Sequence, residues 1–168
     1  LSERQPEGVA AIIDSLKDRP AADVRPLMRR VILNGQYDTT NRLEALELYA
    51  RGLDEKTENE LLTVAKQIED DRVAAAVFRE LGQRPQLSSG ELLLTRLSSA
   101  DNDVRAAALE SLAKLQIKQV GPRVPALLND SDANVRRVAA HAAGRLQIGA
   151  AIAPLKSRVR DADPLVRR

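Results

Sequence analysis

The C-terminal half of this chain repeats itself every 31 residues. Three columns share the spacing: Asp101, Asp132 and Asp163; Val104, Val135 and Val166; and Arg105, Arg136 and Arg167. The tripeptide Leu115-Gln116-Ile117 also recurs one period later as Leu146-Gln147-Ile148. Agreement in so many columns indicates an internal structural repeat, and this constrains the fold more than any other feature of the sequence.

The repeat weakens towards the N-terminus. Val73 falls one period before Val104, but it follows an arginine, Arg72-Val73, where the later copies read Val-Arg. Residues 41–46 match by apolar spacing alone, and residues 1–38 contain no convincing copy. The sequence therefore predicts clear repeats over 56–168 and degenerate N-terminal helices over 1–55.

Each repeat has the spacing of two helices. Leu61, Val64, Ala65 and Ile68 follow the i, i+3, i+4, i+7 pattern of one helical face. The predicted first helices lie near 56–68, 89–98, 120–128 and 149–159, the second helices near 71–82, 102–115, 133–146 and from 164 onward, and earlier helices near 6–17, 23–33 and 40–51. Prolines early in the short first helices predict kinks.

The acidic residues have a structural interpretation. Asp101, Asp132 and Asp163 stand where they would accept hydrogen bonds from the free N–H groups of the helix that follows. The acidic stretch 44–72, which includes Glu55 and the pair Asp70-Asp71, also concentrates its acids near predicted helix starts. Capping therefore explains these carboxylates better than acid–base catalysis does.

A two-helix unit of this size cannot bury its own apolar face, so neighbouring units must stack. We therefore expect an all-α fold, an α-solenoid of stacked antiparallel helix pairs, as a single domain over 1–168. Because the sequence stops just after Asp163 begins another second helix, we also expect the natural polypeptide to continue beyond Arg168.

Composition excludes several classes of chemistry. The chain has no cysteine and one histidine, His141, so neither a thiol nucleophile nor a multi-histidine metal cluster can form. No phosphate-binding loop, nucleophile elbow or membrane-spanning apolar run is present. We expect a soluble protein without metal or cofactor, in either cytosol or periplasm.

The pattern Asp-x-x-Val-Arg followed by a helix rich in small residues, seen at 101–109 and 132–140, resembles the HEAT repeat. The period is shorter than the usual 40–47 residues and is similar to the compact class found in bilin lyases and in many bacterial multidomain proteins. The resemblance implies a right-handed superhelix whose second helices line a concave inner groove. It also implies a ladder in which Arg105, Arg136 and Arg167 pair with Asp101, Asp132 and Asp163, a role that needs no ligand.

One polar stripe is a candidate binding site. Arg137, His141 and Arg145 are spaced i, i+4, i+8, and Glu110 and Lys114 lie one period before the last two. Arg79 lies one period before Glu110. If the second helices face the groove, these six side chains project into it, although an ordinary solvated helix face would have the same pattern.

The leading functional hypothesis is a non-catalytic scaffold that binds another protein, or another domain of the same polypeptide, along this groove. Residues 101–168 hold 12 basic and 7 acidic side chains, so nucleic-acid binding is an alternative. Only three aromatic residues are available to stack on bases, which counts against it. The resemblance suggests a third hypothesis, an accessory lyase or chaperone for a tetrapyrrole-bearing protein.

Overall fold

The structure, a computed structural model, describes residues 6–51, 53, 54, 56–69 and 71–167. Within that part of the chain every regular element is helical. The α-helices are α1 Pro6–Ser15, α2 Ala21–Leu33, α3 Thr39–Arg51, α4 Asn59–Gln67, α5 Arg72–Leu81, α6 Gly90–Arg96, α7 Asn102–Lys114, α8 Val124–Leu127, α9 Ala133–Arg145 and α10 Ile152–Arg158. The predicted all-α class is confirmed. In the described portion, no helix is both long and apolar enough to cross a bilayer.

Contacts divide the chain into two compact units, 1–77 and 78–168. Each unit has its own set of packed helices. The single solenoid domain over 1–168 stays a prediction.

In the first unit α3 is the central helix, since both α1 and α2 pack on it. Its residue Arg42 is buried, and it donates from Nε to the Ile32 carbonyl at 2.9 Å and from Nη1 to Asp71 at 2.6 Å. Asp71 also accepts from the backbone N–H groups of Val73 and Ala74, both at 2.8 Å, so it caps α5 as expected. The equivalent predictions for Glu55 and Asp70 lie outside the described residues.

The second unit stacks helix pairs. α6 packs on α7, α8 packs on α9, and α7 and α9 pack on each other, so successive second helices lie side by side. Val104, Val135 and Val166 are all buried, as the repeat pattern predicts. The solenoid type of stacking is therefore confirmed in this unit. Leu128 is fully buried, whereas Val159, one period later in the same column, is 68% exposed.

The second helices begin at a capping aspartate. Asp101 accepts a 3.0 Å hydrogen bond from the N–H of Val104, and Asp132 accepts the same bond from Val135. Asp163 accepts from Leu165 at 2.7 Å, but residues 164–166 form only a turn, so the helix predicted from 164 is wrong. The Asp163 carboxylate accepts from the residue two positions further on, which is an Asx turn, whereas Asp101 and Asp132 accept from the residue three positions further on, as a helix cap does.

The same helices end in a left-handed residue. Gln116 and Gln147 have φ of 58° and 56°. The next N–H in each case bonds back to a carbonyl five residues earlier, from Ile117 to Leu112 and from Ile148 to Ala143, both at 2.9 Å. These are Schellman motifs, which satisfy the last carbonyls of a helix. The repeated Leu-Gln-Ile tripeptide is thus a helix terminator.

Two of the short first helices, α8 and α10, start as 3₁₀ turns, whereas α6 begins directly at Gly90. Lys118–Arg123, which contains Pro122, leads into α8, and Gly149–Ala151 leads into α10. Proline lacks the N–H that a continuous α-helix would use, so the predicted kink takes the form of this change of helix type.

Candidate functional site

Five of the six candidate groove residues line one shallow cavity in the second unit. The cavity has a volume of about 180 Å³. Its polar side chains are Glu110, Lys114, Arg137, His141 and Arg145, and we call this surface the α7–α9 face. Buried Ala113, Val138 and Ala142 form its apolar floor.

Helical periodicity places these side chains together. Arg137, His141 and Arg145 are successive i+4 neighbours on α9, and all three are exposed. Glu110 and Lys114 are i+4 neighbours on α7, which packs against α9. The small residues of the floor bring the two helices close enough for both rows of polar side chains to border one cavity.

Glu110 is held between two cations. Lys114 Nζ lies 2.9 Å from one of its carboxylate oxygens and Arg79 Nε lies 3.5 Å from the other, so Arg79 joins the site through Glu110 without lining the cavity. Burial opposes ionisation of Glu110, but the hydrogen bonds and charges of Lys114 and Arg79 outweigh it and lower the pKa of Glu110.

Arg137 and Arg145 have no carboxylate partner among the described residues. Arg137 Nη2 donates to the Asn134 side-chain oxygen at 2.7 Å, and Arg145 Nε donates to the Ala113 carbonyl at 3.0 Å. The second bond stabilises the C-terminal end of α7, where carbonyl groups lack partners within the helix. Each guanidinium keeps further N–H groups that point to no acid, so the α7–α9 face carries excess positive charge.

Among the described residues, His141 on the α7–α9 face is not oriented as a general base would be. A general base is usually oriented by a hydrogen bond to a third group, and His141 makes no such bond with any residue that the structure describes. Over the same residues, no group of three His, Asp or Glu side chains could hold a metal ion. The cavity is also smaller than the roughly 300–1,000 Å³ typical of small-molecule pockets.

The arginine ladder exists, but its acids differ from those expected. Arg105 donates from Nε and Nη2 to the two carboxylate oxygens of Asp130 at 2.9 and 2.7 Å. Its Nη1 group donates to the carbonyls of Ser99 and Ala100. The expected pairing of Arg105 with a capping aspartate is therefore wrong. The two carboxylate oxygens of Asp132 instead accept hydrogen bonds from the backbone at the start of α9 and from the Asn102 side chain.

The next step of the ladder repeats this geometry. Arg136 binds Asp161 with bonds of 2.9 and 2.8 Å and also donates to the Asp130 carbonyl. The hydrogen bonds from Arg136 and from the Asp163 N–H lower the pKa of the Asp161 carboxyl well below its ordinary value. Arg167 makes the two carbonyl bonds of the series, to Asp161 and Ala162, and its expected pairing with Asp163 is likewise absent.

The sequence contained a signal for the true acceptors. Asp130 and Asp161 are themselves one period apart, and each lies two residues before an aspartate of the repeated column that contains Asp132 and Asp163. Each accepts the backbone N–H of that aspartate, from Asp132 at 2.9 Å and from Asp163 at 3.0 Å. Each carboxylate thus binds both the backbone of its own turn and the arginine of the preceding repeat.

Comparison with known proteins agrees with this architecture. The family model described as HEAT repeats matches residues 90–168, which contain the ladder and all of the α7–α9 face. No curated protein matches the chain.

Proposed function

We propose that this chain is a non-catalytic scaffold that binds a partner protein along the α7–α9 face. Residues 90–168 match the family model of HEAT repeats, a class of repeat that generally serves as a scaffold for other proteins. The carrying observation is the contrast between two sets of arginines. Arg105 and Arg136 are satisfied by internal carboxylates, whereas Arg137 and Arg145 lack any acidic partner within the described residues.

Arginines that border a cavity and have no carboxylate partner favour the binding of another protein. Arginine is enriched among the residues that dominate binding free energy at protein interfaces, and its fork of donors selects planar acceptors. The floor of Ala113, Val138 and Ala142 adds apolar area beside those donors. A patch with an apolar centre and polar edges is the usual anatomy of an interface.

The size of the cavity favours a protein over a small ligand. A volume of about 180 Å³ accommodates a single side chain of a partner rather than a whole cofactor. This also counts against a tetrapyrrole bound at the α7–α9 face.

The test is capture of partners by the immobilised chain. The double variant Arg137→Glu/Arg145→Glu reverses the face, and Lys118→Glu/Arg160→Glu makes the same change in charge at exposed cations elsewhere in the second unit. We expect the first variant to lose proteins that the wild type and the control retain, with circular dichroism showing unchanged helix content in all three.

Two results would contradict the proposal. Identical partner sets for all three proteins would remove the α7–α9 face as the docking surface. A complex with single-stranded oligonucleotides that weakens steeply with salt and depends on Arg137 would favour nucleic-acid binding instead.

A further inference from the structure

Resting on the proposed function, we propose that the partner of the α7–α9 face presents an extended acidic segment, with two carboxylates about four residues apart and one small aliphatic side chain between them. Charge, spacing and shape of the face each point to this chemistry.

The charge of the face selects an anion. Arg137 keeps Nε and Nη1 available, and Arg145 keeps both terminal amino groups. Arg145 can donate from its two terminal groups to both oxygens of a carboxylate, and Arg137 can donate from Nε or from Nη1 to a single carboxylate oxygen. The face would thus offer a partner the interaction that the ladder makes internally.

The spacing sets the separation of the two acids. Arg137 and Arg145 are eight residues apart on one helix, which places their backbones about 12 Å apart along the axis. An extended peptide rises about 3.3 Å per residue, so side chains four residues apart are separated by about 13 Å. Acidic residues at i and i+4 of an extended segment therefore match the two guanidinium groups.

The floor of the cavity selects the residue in between. Val138 and Ala142 lie on α9 between the two arginines, and Ala113 faces them from α7. A small aliphatic side chain would pack against this apolar floor without burying an unpaired polar group. Among the residues that line the cavity, a nucleotide base would find the imidazole of His141 but no Phe, Tyr or Trp ring to stack on, which makes a nucleic acid the weaker fit.

Glu110 limits where the acids can bind. Its carboxylate is already paired with Lys114 and Arg79, so its negative charge repels an incoming acid on the α7 side of the cavity. Removing this charge in Glu110→Gln would free Lys114 and Arg79 for the partner. The proposal thus requires that loss of Glu110 tighten acidic-peptide binding, an effect that general disruption of the fold would not produce.

The experiment uses a fluorescein-labelled peptide, Gly-Ser-Gly-Glu-Ala-Val-Ala-Glu-Gly-Ser-Gly, and its matched form with Gln for both Glu residues. Fluorescence anisotropy is recorded with the full chain up to millimolar protein. We expect the Glu peptide to bind about tenfold or more tightly than the Gln peptide, and Arg137→Glu to weaken it by a similar factor. Lys118→Glu is the matched control and should leave binding unchanged, whereas Glu110→Gln should strengthen it several-fold.

The other possible outcomes separate an error in the partner chemistry from an error in the docking function. Equal binding of the two peptides, no binding of either, or binding unaffected by Arg137→Glu overturns the acidic segment. If partner capture nevertheless depends on the α7–α9 face, the proposed scaffold function stands and only the partner chemistry is wrong. If the Glu peptide binds as expected but captured proteins ignore the face, the docking function falls while the anion site remains. Tighter binding of an oligonucleotide than of the peptide, with the same dependence on Arg137, assigns the face to nucleic acid.

Discussion

Arg105 binds Asp130, 25 residues further along the chain, through two parallel hydrogen bonds from its guanidinium to the carboxylate. One period later Arg136 binds Asp161 across the same sequence separation. Each arginine lies at the start of one repeat's second helix, and each aspartate lies in the turn of the next repeat. The pairs therefore fix the stacking of one repeat on its neighbour.

Breaking the first pair should destabilise the chain. With about 14% of the Arg105 side chain and 11% of the Asp130 side chain exposed, Asp130→Asn leaves a largely buried guanidinium without its counter-charge. We expect a loss of about 3 kcal/mol in the free energy of unfolding, measured by urea denaturation. Arg105→Leu should cost more, since it also abandons the Ser99 and Ala100 carbonyls.

A double-mutant cycle supplies the control for that pair. The combined Arg105→Leu/Asp130→Asn variant should lose less than the two single losses added together. The exposed pair Lys17 and Asp14 is the comparison, and Asp14→Ala should lower the free energy of unfolding far less than either single change at Arg105 or Asp130. Strict additivity at Arg105 and Asp130 would show that the pair is not coupled.

Stability should fall in acid partly through Asp161. Its hydrogen bonds from Arg136 and from the Asp163 N–H lower the folded-state pKa below the unfolded value of about 3.9. A depressed carboxyl pKa stabilises the fold fully above the unfolded pKa, and this stabilisation is lost as pH falls through the folded pKa. Urea denaturation between neutral pH and strong acid should show the wild type losing its advantage over Asp161→Asn below about pH 4. A constant difference across that range would contradict the assignment.

Glycine at the left-handed helix ends should stabilise the fold. Gln116 has φ of 58°, where a side chain crowds the following carbonyl. Gln116→Gly is expected to raise the free energy of unfolding by about 1 kcal/mol and Gln116→Val to lower it. Gln119→Gly is the control, because Gln119 is exposed on the following 3₁₀ turn and has no positive φ to relieve. An equal gain at both positions would argue against the backbone explanation.

Replacement by alanine should destabilise the fold at one glycine and leave it nearly unchanged at another. A Cβ on Gly82 would lie 2.5 Å from the Ser111 hydroxyl oxygen and 2.9 Å from the Ser111 Cα, and that hydroxyl donates to the Phe78 carbonyl. Gly82→Ala should therefore cost about 1–3 kcal/mol through overpacking. Gly121→Ala meets nothing within 4 Å and should be close to neutral. Similar melting temperatures for the two variants would contradict the close approach at Ser111.

Much of the candidate site could be predicted because it lies on regular helices. The i, i+4, i+8 spacing of Arg137, His141 and Arg145 and the 31-residue period of Glu110 and Lys114 place them on neighbouring helices. The apolar floor was missed, since Ala113, Val138 and Ala142 are indistinguishable in sequence from other small residues of the core. These residues lie at the edge of the contact between α7 and α9, where they form the floor of the cavity. Only the packing of the two helices reveals that position.

The sequence also could not predict that side chains at equivalent positions of the repeat bind different acceptors. Arg145 reaches the Ala113 carbonyl of the preceding repeat, whereas Lys114, one period earlier, pairs with Glu110 on its own helix. The two positions share a column, but each long side chain takes the acceptor that its own surroundings bring within reach.

By itself the sequence determined the features that depend on near neighbours: the helices, their capping aspartates and the 31-residue period of the core. These follow from hydrogen bonds and apolar spacing within a few residues, so they can be read from the order of side chains alone. Only the tertiary structure decided that Arg105 and Arg136 bind Asp130 and Asp161 rather than the aspartates two residues later. That choice depends on where the turn of the next repeat lies in space, because both acids are close in sequence and only one directs both of its carboxylate oxygens at the arginine.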